Sequence, residues 1–294
     1  MDTVYLNYTA DELAVQVDAG SNVPPAEFEA IQKQNGADTA KARKAVPCRI
    51  DIAYGPDELQ KLDVYYPGEK GGGGYPVLFD IHGGGWRGGS KNGRGWPAEI
   101  LVPKGVVWVT VDYGLAPRLK MPQIVDHVRS ALAWTYKTIA EFGGDPNRIF
   151  ITGHSAGGHL TAMLLLDGWR AKYGLPDDVI KGAIASSGVY DLEALVHSPK
   201  GYNDELGMTL AEARAYSPYY NLPKKSCPLI VAWGDNETRE FQRQSKAFAK
   251  AWREAGLTVR EFECKGDHHF TIARTLLDAK SPLCQAAMKM IGLA

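Results

Sequence analysis

Two stretches, PVLFDIH (Pro76 to His82) and VVWVTVDY (Val106 to Tyr113), are apolar at almost every position rather than at every second one. A strand with one wet face alternates, so unbroken runs of this length require burial on both faces. The chain must therefore build a sheet covered front and back. RIFITG, VIKGAIASSG, PLIVAWG and TVREFEC also read as strands. Helical periods separate them: Pro122 to Phe142 carries Ile124, Val125, Val128, Ala131, Leu132 and Trp134 on one stripe with proline in its first turn. Further helices are expected from Ser155, over Glu240 to Ala255, and twice at the C-terminus. Strands linked by crossover helices predict a mostly parallel sheet. RIDIAY and KLDVYY, alternating around Gly55-Pro56, predict an antiparallel hairpin that completes eight strands of an α/β architecture.

Two segments fall outside this series. Residues 1–45 show loose helical patterning (Asp11 to Val17, Pro25 to Gln34, Thr39 to Ala45) with Gly and Pro breaks between the pieces, and are expected to form an N-terminal cap. Residues 188–227 fit no core strand, and a stretch that long is usually functional or lid-like, so a cap insertion is expected there. The whole of 1–294 then reads as a single domain, with Gly71 to Gly74 as an exposed loop.

Charge limits the partners. With 33 Lys+Arg against 34 Asp+Glu and no polybasic block, the chain lacks the electrostatic footprint for nucleic acid or an anionic membrane. MDTVYLNYTADELAVQ has neither the basic start nor the apolar stretch of a signal peptide, and no apolar run approaches the roughly 18 residues of a membrane span. A cytoplasmic protein is expected. Cys48, Cys227, Cys264 and Cys284 form no CxxC pair and read as free thiols. A homodimer is left open.

The chemistry concentrates at Gly153-His154-Ser155-Ala156-Gly157, a G-x-S-x-G that follows the strand RIFIT and precedes an apolar helix with Leu160, Met163, Leu164 and Leu165. This strand-turn-helix context is what a nucleophile elbow needs, because the serine sits at a strained φ/ψ between small flanking residues. A serine hydroxyl is a weak nucleophile. It requires a base, an acid to orient that base, and donors for the developing oxyanion. The chain has 32 glycines, eleven of them between Gly71 and Gly95, so tight loops are expected in that window. Within it, HGGGW (His82 to Trp86) follows a central strand and offers the N–H groups of Gly84 and Gly85 as oxyanion donors, with that of Ala156 as the third. His82 reads as a structural loop residue.

The same loop satisfies G-x-G-x-x-G (Gly83, Gly85, Gly88), the mark of a dinucleotide site, with Asp112 ending the next strand. The third glycine should then open a helix packed on the sheet, and GSKNGRGWP supplies none. No cofactor is expected. His154, His159 and His268 lack the spacing of a metal site.

GHSAGGHL, HGGGW, SSGVYDLEALV and ETREFQRQS together resemble the kynurenine formamidase (arylformamidase) branch of the α/β-hydrolases, related to hormone-sensitive-lipase-like carboxylesterases. The similarity runs from about Val46 to Asp278. It implies the α/β-hydrolase fold, with a small cap and the chain order Ser, acid, His. Two acids, Asp235 and Glu237, follow the strand PLIVAWG; in the family the acid stands three residues before a Glu-Phe pair, here Glu240-Phe241, which maps it to Glu237. The family's His-Phe pair maps the base to His269, ahead of Phe270, while the His-x-Phe pattern of the esterase relatives would select His268. The chain departs from the family at Gly85, where kynurenine formamidases often carry Tyr, and at Gly114, where the esterases usually place Arg.

Trp86, Tyr113 and Tyr190 end loops at the carboxyl side of predicted strands, where open α/β sheets bind ligands, and with His154 they are candidate substrate-binding residues. The expected activity is acyl transfer to water on a small-molecule amide or ester through Ser155, His269 and Glu237. The resemblance implies N-formylkynurenine or a related aryl formamide. A short-chain carboxylesterase is the near alternative, and an oxidoreductase or a non-catalytic binding protein on the same fold are remote ones.

Overall fold

A computed structural model of the chain describes residues 2–68 and 74–293. The glycine loop expected at Gly71 to Gly74 lies outside these except for Gly74. Eight strands form one sheet: β1 (Cys48–Ala53), β2 (Lys61–Tyr65), β3 (Tyr75–Ile81), β4 (Val107–Val111), β5 (Gly144–His154), β6 (Ile180–Ser186), β7 (Leu229–Gly234) and β8 (Val259–Cys264). Their spatial order is β1-β2-β4-β3-β5-β6-β7-β8. The β1–β2 and β2–β4 pairs are antiparallel and every other pair is parallel. The helices are α1 (Ala10–Val17), α2 (Pro25–Ala45), α3 (Ala98–Leu101), α4 (Met121–Thr138), α5 (Ala156–Leu165), α6 (Glu193–His197), α7 (Asn203–Leu206), α8 (Leu210–Ala215), α9 (Arg239–Glu254), α10 (Ile272–Thr275) and α11 (Pro282–Ile291).

The period-2 geometry of the strands divides their side chains between two cores. Val77, Phe79 and Ile81 of β3, Val107, Val109 and Val111 of β4, and Ile149 and Ile151 of β5 pack with the apolar stripes of α4, α5 and α9. The intervening Leu78, Trp108 and Phe150 face the opposite side, against α3 and Ile291 of α11, and Ile184, Ile230 and Ala232 continue that side with α10 and α11. Each such side chain contributes roughly 1.5–3 kcal/mol on burial, which is why the central strands cannot alternate with polar residues.

The N-terminal helices differ from expectation in one respect. Gly36 does not break the second one: α2 runs unbroken over Pro25–Ala45, with proline in its first turn. An isolated glycine costs a helix only about 1 kcal/mol, and the surrounding Ala, Gln, Lys and Glu residues favour the helix enough to bridge it. The segment 188–227 holds α6, α7 and α8 and no strand. It is stitched to the N-terminal residues, where Tyr5 Oη donates to Asp191 Oδ2 at 2.5 Å. Asp145 accepts the Asn147 N–H at 2.8 Å, an Asx turn in the irregular start of β5. Among the described residues, no helix is long and apolar enough to cross a membrane, and all four cysteines are free thiols.

Candidate active site

The loops after β3, β5, β6, β7 and β8 all leave the carboxyl edge of the sheet, and a cavity of about 530 Å³ opens there. At its floor Ser155 joins β5 to α5 with φ 58° and ψ −122°. A serine adopts this region only when its surroundings impose it. Two contacts do so: the Ser155 N–H donates to the Ser186 carbonyl at 2.9 Å, and α5 is pressed against the end of β3 so closely that a Cβ on Gly157 would lie 2.0 Å from the Ile81 carbonyl oxygen. The glycines of the motif are thus required by backbone approach.

The loop after β3 has three consecutive left-handed residues, Gly84 (φ 115°), Gly85 (φ 61°) and Trp86 (φ 59°). They fold it into a turn in which the Arg87 and Gly88 N–H groups donate to the Gly84 carbonyl. Among the described residues the N–H groups of Gly84 and Gly85 have no acceptor, and that of Ala156 belongs to the first turn of α5, where helix N–H groups lack intrahelical partners. Gly88, the third glycine of the dinucleotide pattern, opens no helix; the first helical element after it is a single 3-10 turn, Lys91–Gly93, and the four-residue α3 begins only at Ala98.

Glu237 follows β7 with its carboxylate fully buried. Oε2 accepts from His269 Nδ1 at 2.9 Å, and Oε1 accepts from Gly234 N–H at 2.7 Å and Ser187 Oγ at 2.5 Å. Three donors offset the desolvation of the charge. Because a carboxylate accepts, Nδ1 of His269 carries a proton, which in the Nδ1–H tautomer leaves Nε2 as the acceptor. That Nε2 is buried and has no hydrogen-bond partner among the described residues, Ser155 included. His269 and Ser155 border the same cavity.

The two alternatives are occupied elsewhere. Asp235 accepts the Gly266 N–H at 2.7 Å in a turn, and His268 Nε2 meets Glu27 Oε1 on α2 at 2.9 Å.

His154 also borders the cavity. Its Nε2 donates to the His269 carbonyl at 2.6 Å, tying the elbow to the loop that carries the imidazole. Burial, reinforced by the neighbouring His269, pushes its pKa well below the usual histidine range. His82 is buried: its Nδ1 meets the Gly83 carbonyl at 2.6 Å and its ring stacks on Tyr113 at 4.2 Å.

The other three expected pocket residues do not line the cavity. The positive φ of Trp86 turns its indole inward, where Nε1 donates to His159 Nδ1 at 3.2 Å. Tyr113 Oη donates to the His82 carbonyl at 2.9 Å from beneath the loop. Tyr190 stacks on Phe248 at 4.2 Å within the α9 core. A strand end places a residue near the cavity, yet buried partners for the ring and hydroxyl set the direction of the side chain.

The cavity walls come instead from residues that the sequence reading passed over. Phe28, Ile31, Gln32 and Asn35 of α2 line one side, with Phe270 beside Phe28 (ring centroids 4.6 Å apart). Their i, i+3, i+4, i+7 spacing is a single helical stripe, a signal present in the sequence. Tyr202, before α7, lines another side and packs over Gly85, where an added Cβ would lie 2.2 Å from its ring. The Arg87 guanidinium covers the same ring at 4.6 Å and pairs with Glu205 at 2.9 Å.

The fold and this elbow define an α/β-hydrolase enzyme. The BD-FAE family model matches residues 62–252, and the chain belongs to that family. It is 34% identical to the kynurenine formamidase of Danio rerio over 258 residues, 86% of this chain and 85% of the relative. The esterase LipQ of Mycobacterium tuberculosis is 32% identical over 77% of this chain, which spans 58% of that protein. Esterase B of Lactobacillus rhamnosis shares the fold, with a TM-score of 0.70 at 21% identity over 96% of this chain and 95% of the esterase.

Proposed function

We propose that the protein hydrolyses small aryl amides, N-formylkynurenine-like formamides foremost, through a Ser155-His269-Glu237 triad. The observation that carries this reading is the buried, bare Nε2 of a carboxylate-anchored His269 bordering the same cavity as a serine at a left-handed elbow. Catalytic hydrogen bonds are often open without substrate and tighten when it binds. Ser155 Oγ attacks the carbonyl carbon as Nε2 takes its proton, and the negative oxygen is received by the N–H groups of Gly84, Gly85 and Ala156. Collapse breaks the C–N bond while Nε2–H protonates the leaving arylamine. Water, deprotonated by the same Nε2, then cleaves the formyl ester on Ser155, releasing formate and the free hydroxyl.

Support for an aromatic leaving group comes from the Phe28, Phe270 and Tyr202 rings at the cavity, and support for a formamide comes from the kynurenine formamidase relatives. The esterase relatives favour a second reading, hydrolysis of short acyl esters, which needs the same oxyanion geometry with a different acyl pocket. Two measurements test these. A fluorophosphonate should label Ser155 and leave Ser155→Ala unlabelled, with hydrolysis lost by several orders of magnitude. The kcat/KM for N-formylkynurenine should exceed that for p-nitrophenyl acetate; the reverse order assigns the protein to the esters, and a labelled or active Ser155→Ala removes both readings.

A further inference from the structure

The motif Ser186-Ser187-Gly188 at the end of β6 is not used by the steps above, yet it touches both ends of the site. The Ser186 carbonyl holds the Ser155 N–H, and the next residue is wholly buried with a left-handed backbone, Ser187 at φ 50°. Its N–H donates to the Ala232 carbonyl of β7 at 2.7 Å, which fixes it between the two strands. A serine held at such a φ is strained where a glycine would be relaxed. The hydroxyl is what glycine lacks, and it donates to Glu237 Oε1 at 2.5 Å.

We propose that Ser187 is a positioning residue that sets the carboxylate plane of Glu237, so that Oε2 meets His269 Nδ1–H and the imidazole presents Nε2 to Ser155. With Gly234 N–H and Ser187 Oγ both on Oε1, the carboxylate cannot turn about its last bond without breaking two hydrogen bonds. One of these is backbone and survives any substitution. The other depends on the side chain alone. The inference rests on the triad reading of Glu237.

The test is a cycle of Ser187→Ala, Ser187→Gly and Glu237→Ala, with both double variants, assayed on p-nitrophenyl acetate. Losing one charge-assisted hydrogen bond should lower kcat by about 10- to 100-fold with KM within twofold. Ala and Gly should behave alike, because Gly relieves the strained φ and still lacks the hydroxyl, so a folding defect cannot mimic the effect. In the Glu237→Ala background neither should cost anything further. The downfield proton resonance of His269 Nδ1–H should shift in Ser187→Ala. Unchanged kcat in Ser187→Ala, or an equal loss with and without Glu237, would overturn the proposal alone. Full activity in Glu237→Ala would remove the triad reading and this proposal with it.

Discussion

Glu237 and Asp235 are separated by one residue and occupy opposite environments. The first is a buried carboxylate with three donors, one of them an imidazole; the second is exposed and closes a turn with the Gly266 N–H. Glu237→Ala should therefore cost about 10⁴-fold in kcat, while Asp235→Ala should stay within about threefold because solvent can replace a single exposed turn bond. His269→Ala and His268→Ala should divide in the same way, since His268 faces Glu27 rather than Glu237. Steady-state rates of the four variants on p-nitrophenyl acetate check the assignment, and equal losses within either pair would defeat it. Residue chemistry alone leaves both acids and both imidazoles open, because side-chain direction is set by the fold; only the spacing to Glu240-Phe241 and Phe270 in the resembled family separates them. Where no such spacing exists, at Trp86, Tyr113 and Tyr190, position at a strand end is a poor guide, and all three rings turn into the core.

Elements were more legible than side chains. Unbroken apolar runs specify buried parallel strands, because burial on both faces leaves no polar positions. RIDIAY and KLDVYY do form the antiparallel hairpin, but their alternation does not map onto one wet face, since β2 is buried on both faces and Ile50 of β1 is exposed. Helix α2 shows the limit of local signals. Its glycine reads as a break, yet packing and propensity across 21 residues outweigh it. Gly36 is exposed, has no positive φ, and an added Cβ would meet nothing within 4 Å. Gly36→Ala should thus stabilise the protein by about 0.5–1 kcal/mol through helix propensity and the lost freedom of the unfolded chain. Urea denaturation should show a higher midpoint at unchanged m-value; a lower midpoint would mean that α2 needs to bend there. The stripe Phe28, Ile31, Gln32 and Asn35 went unread for a related reason: on a mostly polar helix, a face directed at a cavity looks like a weak core face.

At the scale of the molecule, three histidines lie at or beside the site: His82 and His154 border the cavity, and His159 is fully buried against Trp86. Burial lowers the pKa of each: His82, His154 well below its usual range, and His159 to about 4. His159 accepts from Trp86 Nε1 at 3.2 Å and donates through Nε2 to the Tyr216 carbonyl at 2.8 Å, so the native site has no place for a second ring proton. In the unfolded chain a histidine titrates near 6.5. Above that pH both states are neutral and stability does not depend on these groups. As pH falls below about 6.5 the unfolded chain takes up protons that the native state refuses, and stability declines by about 1.4 kcal/mol per pH unit for each such histidine. For His159 the decline ends near its folded value of about 4, below which both states are protonated. Asp57, held near 2 by the Arg118 guanidinium, belongs to a separate window that opens only below the ordinary carboxylate range. His159→Gln can preserve both polar contacts, with its amide oxygen facing the indole and its NH₂ facing the carbonyl, while removing the titration. Urea unfolding at intervals between pH 7.5 and 4.5 should give a slope of ΔG against pH that is smaller in His159→Gln by about one proton through the window from 6 to 5. Equal slopes in the two proteins would show that His159 takes up its proton as readily folded as unfolded, and that its buried contact with Trp86 opens to water.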